Sequence, residues 1–151
     1  MTKNPSPTIS VLNYHLKTQL ALCNSLEEIA DGLPDNIDNQ ECLHIARSIY
    51  ATVKRAHDFE ENVVFPLLTR NGDDHITATI DRLHGEHWED ESFAQELQDA
   101  LIKFVADRQH GNAETLSYML RGFFEGIRRH IAFEKEFVAP LIQKAESRGD
   151  A

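Results

Sequence analysis

Two His-x-x-x-Glu pairs, His57–Glu61 and His130–Glu134, stand 73 residues apart in this chain of 151 residues. Each follows a lone histidine at nearly the same distance: His15 precedes His57 by 42 residues and His87 precedes His130 by 43. A histidine and a glutamate at i and i+4 share one helix face about a turn apart. The matched spacing therefore describes two helix–loop–helix halves, each bringing one histidine and one histidine–glutamate pair to a common point. Four helices that converge four imidazoles and two carboxylates in their interior form a two-metal site. Imidazole with carboxylate suits iron, manganese or zinc, and carboxylates able to bridge favour two ions over one. Buried carboxylates without compensating charge are costly, and few Lys or Arg share their faces. Without metal, Glu61 and Glu134 are expected to repel each other and to titrate above the usual carboxylate range. One such histidine, or one such pair, is ordinarily a packing feature; the coincidence of all of them carries the reading.

The elements that must position these residues are four amphipathic helices, near Thr8–Ala30, Asp38–Arg70, Asp73–Arg108 and Asn112–Ser147. Ser6-Pro7 has the form of an N-cap followed by Pro at N1, and Asp38 with Glu41 resembles a capping box. Asp31-Gly32-Leu33-Pro34, Asn71-Gly72 and His110-Gly111-Asn112 mark the turns. No segment alternates as a strand requires. Short loops between long helices predict an all-α, up-down-up-down four-helix bundle of one domain. The inward stripes read Leu12, His15, Leu22, Leu26 in the first helix and Val53, His57, Glu60/Glu61, Val64, Leu67/Leu68 in the second. They read Leu83, His87, Ala94 in the third and Ile127, His130, Glu134, Phe137, Leu141 in the fourth.

Composition narrows the function classes. The net charge of −10, with no basic run, disfavours nucleic acid and anionic membranes. No apolar run approaches a membrane span, and Met1–Ser10 holds no secretory signal, so a cytoplasmic protein is expected. Cys23 and Cys42 form no CxxC motif and read as buried free thiols. Gly122 and Gly126 form a GxxxG that suggests close helix packing within the chain or across a homodimer. Trp88 is expected to pack on a neighbouring helix, Tyr118 to be peripheral, and Phe124 to contribute to an exposed patch.

The segments HDFEENVVFPLL (His57–Leu68), EHWEDE (Glu86–Glu91) and HIAFEKEFVAPLI (His130–Ile142), together with His15, resemble the hemerythrin-like or HHE cation-binding domains over essentially the whole chain. That resemblance implies a bundle holding a non-haem di-iron centre, with His15, His57, Glu61, His87, His130 and Glu134 as iron ligands. It further implies dioxygen, nitric oxide or peroxide chemistry at an open iron position. The chain departs from the oxygen carriers of the family at the third helix, where Leu83 replaces a histidine; His84 and Glu91 are the alternative additional ligands. It departs again in register, since Glu134 precedes Pro140 by six residues and Glu61 precedes Pro66 by five. Alignment on the prolines makes Glu60 the counterpart of Glu134; HxxxE spacing favours Glu61. The leading functional expectation is oxygen or redox sensing, or stress protection. The others are a di-iron oxidase or peroxidase-like enzyme, an iron donor, and an interaction module that binds a regulatory protein according to the iron state.

Overall fold

A computed structural model describes residues 6–70 and 72–149. Asn71, expected to close the second helix, and residues 1–5, over which no secretory signal is expected, lie outside the described residues. Every described residue belongs to a helix or a short connection, and no strand occurs among them. The first rod is α1 (Pro7–Gly32). The second is α2 (Asn39–Phe59), a π-helical turn (Glu60–Val64) and α3 (Phe65–Arg70). The third is α4 (Asp74–Ala106). The fourth is α5 (Ala113–Phe133), a second π-helical turn (Glu134–Val138) and α6 (Ala139–Gly149).

Side-chain caps start each rod, at Ser6 and Asp38 as the sequence suggests and also at Asp73 and Asn112. Ser6 Oγ accepts from Ile9 N–H at 3.0 Å, and Asp38 Oδ1 accepts from Glu41 N–H at 2.8 Å. Asp73 and Asn112 take the N–H of Ile76 and Thr115, each at 3.0 Å. Each bond satisfies one of the donors a helix start leaves open. At the α4–α5 turn a Cβ on Gly111 would meet the Phe104 ring at 2.5 Å, so only glycine fits there.

α1 packs on α2 and α5, and α4 packs on the same two, which closes a ring of four. The directions alternate. Thr8 reaches Glu146 while Glu27 reaches Arg128, so α1 and the fourth rod are antiparallel. Tyr50 bonds Gln98 while Glu61 meets His84, so α2 and α4 are antiparallel too. A continuous apolar core fills the ring, including Leu12, Leu26, Ile49, Val53, Leu97, Leu120 and Ile127.

Several expectations are corrected here. Gly122 and Gly126 do not receive a neighbouring backbone within the chain: an added Cβ would meet only Phe93 at 3.9 Å and Arg129 at 3.8 Å. Phe124 is buried beneath the Arg128 guanidinium, 4.8 Å from its ring centroid, rather than exposed. Trp88 stands in solvent, as Tyr118 does. Phe137 leaves the core at 53 % exposure while Val138 enters it at 4 %. The π turn causes that change. Its i→i+5 bonding adds a residue to the turn, so the inward stripe runs Glu134, Val138, Ile142.

Each π turn ends two residues before a proline. Pro66 and Pro140 lack the N–H that an α-helix would return to residue i−4, and their rings crowd that carbonyl. Widening the preceding turn accommodates both problems. Phe65 N–H reaches Glu60 C=O and Ala139 N–H reaches Glu134 C=O. The two rods are therefore equivalent at their prolines.

Candidate metal centre

The proline equivalence decides which glutamate faces inward. Glu60 and Glu134 each open a π turn, and they are exposed by only 2 % and 1 %. The inward line of α2 runs Ile49, Val53, Ala56, Glu60, Val64, all buried. His57 lies on its flank beside Ala56, so Glu61, four residues later, falls at the rim with 28 % of its side chain exposed. A stripe centred on His57 overlooks Ala56, a small residue that marks the true centre.

Five side chains from three rods converge. Ligand atoms of Glu60, His87, His130 and Glu134 lie within 4.8 Å of one another, and so do those of His57, His87 and His130. His87 Nε2 is 2.6 Å from Glu60 Oε2, and His130 Nε2 is 2.6 Å from Glu134 Oε1. The His57 and His87 rings stack at 3.7 Å with 6° between planes. His57 Nε2, Glu60 Oε2, His87 Nε2, His130 Nε2 and Glu134 Oε2 are all buried and make no aligned hydrogen bond, the two 2.6 Å contacts being close approaches without hydrogen-bond geometry. Buried polar atoms are almost always paired, and leaving five unpaired at one point is costly. Three imidazole nitrogens and two carboxylates are a donor set that a hard-to-borderline cation satisfies.

The metal-free electrostatics follow from that crowding. Burial, helped by His87 and His130, depresses the His57 pKa to about 2. Burial and His130 bring His87 to about 4, against the pull of Glu61. Burial and the adjoining Glu134 push Glu60 well above the carboxylate range. Burial also opposes ionisation of Glu134, but Glu60 and His130 hold its pKa down. Burial opposes charge on His130, and Glu134 more than compensates, so its pKa rises. Without metal, burial therefore favours the neutral form of Glu60, and the His130–Glu134 contact favours charge on both partners. Glu134, expected to titrate high, is instead held low, and Glu60 is the raised carboxyl beside it.

Four of the six expected ligands meet: His57, His87, His130 and Glu134. Glu61 Oε1 stands outside the ring, 3.3 Å from His87 Nδ1 and 3.3 Å from His84 Nδ1. His15 is half-buried, its ring 5.3 Å from Phe59, and belongs to neither donor group. The inward line of α1 runs Leu12, Leu16, Gln19, Cys23, Leu26, which places His15 on the flank. Gln19, which patterning on apolar residues missed, is fully buried; its amide donates to His15 C=O at 3.4 Å and its Oε1 has no partner. His44, His75 and His110 are exposed, as expected. Cys23 and Cys42 are buried free thiols, and burial pushes the Cys23 thiol up to about 11.

A cleft of about 440 Å³, lined by Arg82, Glu86, Glu89, Asp90, Arg129 and Phe133, reaches His130. Burial raises the Asp90 carboxyl there to about 6, against the opposing pull of His130. A cleft of about 360 Å³ at the α4–α5 turn is lined by Phe104, His110 and Met119 and lies away from the donor groups. No helix among the described residues is long and apolar enough to cross a membrane.

Comparison with known proteins gives one match. The family model "Hemerythrin HHE cation binding domain" matches residues 10–142. No curated protein and no solved structure matches the chain significantly.

Proposed function

The chain belongs to the hemerythrin HHE cation-binding family, and on that footing we propose that it is a cytoplasmic non-haem di-iron protein that binds dioxygen, nitric oxide or peroxide in redox sensing or stress protection. The observation that carries the reading is the set of five buried, inward polar atoms without partners. His57, His87, His130, Glu60 and Glu134 would hold the metal. Glu60 and Glu134 would supply its carboxylate ligands. Five protein donors leave two irons short of a full shell, and bound iron would supply electrons and an open position for a small ligand. The protein's own part is to exclude bulk water with Val53, Val64, Leu83 and Ile127, and to admit small molecules through the cleft beside His130.

The test is elemental analysis of protein from iron-supplied cells, with absorption spectra before and after reduction and air exposure. Two irons per chain and oxygen-sensitive bands are expected, with iron lost in His130→Ala. One iron per chain would make the centre mononuclear. No iron after anaerobic reconstitution would sink the reading.

A further inference from the structure

α2 with its π turn and α4 carry the same short pattern, a cationic or imidazole side chain, then histidine three residues on, then glutamate four residues further. In α2 it is Lys54, His57, Glu61; in α4 it is His84, His87, Glu91. At i, i+3 and i+7 these residues share one helix face. Because α2 and α4 are antiparallel, the glutamate of each falls beside the histidine of the other. Glu91 Oε2 is 3.2 Å from His57 Nδ1, and Glu91 Oε1 is 3.1 Å from Lys54 Nζ. Glu61 Oε1 is 3.3 Å from both His87 Nδ1 and His84 Nδ1. Two relays result, Lys54–Glu91–His57 and His84–Glu61–His87, running side by side behind the stacked imidazoles.

The geometry points to Glu91 and Glu61 as exchanged positioning residues, each accepting the Nδ1–H of the opposite helix's histidine and so aiming that ring's Nε2 lone pair at the metal. This rests on the metal reading above. A neutral imidazole carries its proton on one nitrogen only, and the hydrogen bond at Nδ1 decides which. Outer carboxylates of this kind also make the ring a better donor. The arrangement assigns Glu61 a place outside the metal shell, although its HxxxE spacing from His57 suggests a ligand. Lys54, also 3.0 Å from Asp58, anchors Glu91 from solvent, and His84 does the same for Glu61.

Glu91→Ala, Glu91→Gln, Glu61→Ala and Glu61→Gln would be titrated with Co²⁺ as a spectroscopic probe. Far-UV circular dichroism of the metal-free forms would serve as the fold control. Each alanine variant is expected to bind Co²⁺ roughly 10–100-fold more weakly with helix content retained. Each glutamine variant keeps an acceptor for Nδ1–H, so it should recover most of the affinity. Having lost a negative charge, it should raise the Fe³⁺/Fe²⁺ potential of the iron-loaded protein. In the Zn²⁺-loaded wild type, Nδ1–H signals of His57 and His87 should appear in ¹H–¹⁵N spectra, and that of His57 should be lost in Glu91→Ala. If an alanine variant fails to fold, its glutamine partner reads the same two quantities. Unchanged Co²⁺ affinity and spectra in folded alanine variants would overturn the inference. So would complete loss of Co²⁺ binding in Glu61→Gln, which would make Glu61 a ligand. A wild type that takes up no metal would instead refute the metal reading itself.

Discussion

Replacing Glu60 by methionine should stabilise the metal-free protein and destabilise the loaded one. Glu60 is 2 % exposed, its Oε2 has no partner, and Glu134 adjoins it. An unsatisfied buried polar group costs about 1–3 kcal/mol, and methionine keeps the volume while removing that cost. At roughly 2–4 °C per kcal/mol for a chain of this size, metal-free Glu60→Met should melt about 2–12 °C above wild type. The sign with pH follows from the raised pKa. Below the ordinary carboxylate value of 4.5 the folded and unfolded chains both hold the proton, and no penalty arises. As pH rises from there towards the raised value, the unfolded chain ionises and the folded one resists, so wild type loses stability. The advantage of Glu60→Met should therefore grow with pH. Metal reverses the order: free metal at a thousand times Kd contributes about 4 kcal/mol to wild type, and the variant should lose most of that gain. Glu61→Met, at a half-exposed position, should change metal-free stability by about 0.5 kcal/mol or less and keep part of the metal-induced rise. The assay is a pair of thermal melts at several pH values, with and without Co²⁺. A metal-free Glu60→Met that melts below wild type would refute the burial argument. A full metal-induced rise in Glu60→Met, with none in Glu61→Met, would hand the inner position to Glu61.

Acid should weaken the metal-free fold through its imidazoles. His57 and His87 are held neutral, near 2 and 4, while the unfolded chain protonates them at 6.5. Their stabilising contribution is whole above pH 6.5 and falls with acidification by about 1.4 kcal/mol per unit for each ring, against the opposite trend of Glu60 and His130. Urea midpoints between pH 7 and 5 should fall less steeply in His57→Leu than in wild type, and equal slopes would contradict the assignment. The π turn is tested by Val138→Ala, expected to cost about 1–3 kcal/mol, against Phe137→Ala, within about 1 kcal/mol; the reverse order would restore an unbroken α-helix. Gly111→Ala should cost about 1–3 kcal/mol by overpacking on Phe104, read as a lowered melting temperature.

Four helices and their order are legible in the chain, as are the caps at Ser6 and Asp38, because such caps act locally through side chains that bond the next turn's N–H. The convergence of four of the six candidate residues is legible for the same reason, since His57, His87, His130 and Glu134 repeat at helical spacing. What the spacing misjudged lies where the helix is not an ideal α-helix or where the seam centre is a small or polar residue. Ala56 and Gln19 mark the inward lines of α2 and α1, but neither carries an apolar signal strong enough to displace His57 or His15 from the apparent centre. Phe137 was placed inside by a period that the π turn interrupts. The available signal was the proline register: Pro66 and Pro140 each stand six residues after the inward glutamate, Glu60 and Glu134.

The same physics explains why the site sits where it does. A carboxylate in a tightly wound α-helix core lies against the apolar side chains of the next turn and has nothing to neutralise it. At a π turn the backbone is widened, and Glu60 and Glu134 both open such turns, each followed by a proline that cannot restore the α-helical bond. The two acids thereby enter the core at the same level from different rods, facing His87 and His130 at 2.6 Å. In the metal-free protein burial resists charge on Glu60, while Glu134 favours charge on the adjoining His130. A cation there would offset the repulsion between the carboxylates and engage the five donor atoms, and any proton they hold would have to leave, so metal affinity should rise with pH. Co²⁺ affinity that is flat between pH 6 and 8 would show that protons and metal do not compete for the same atoms.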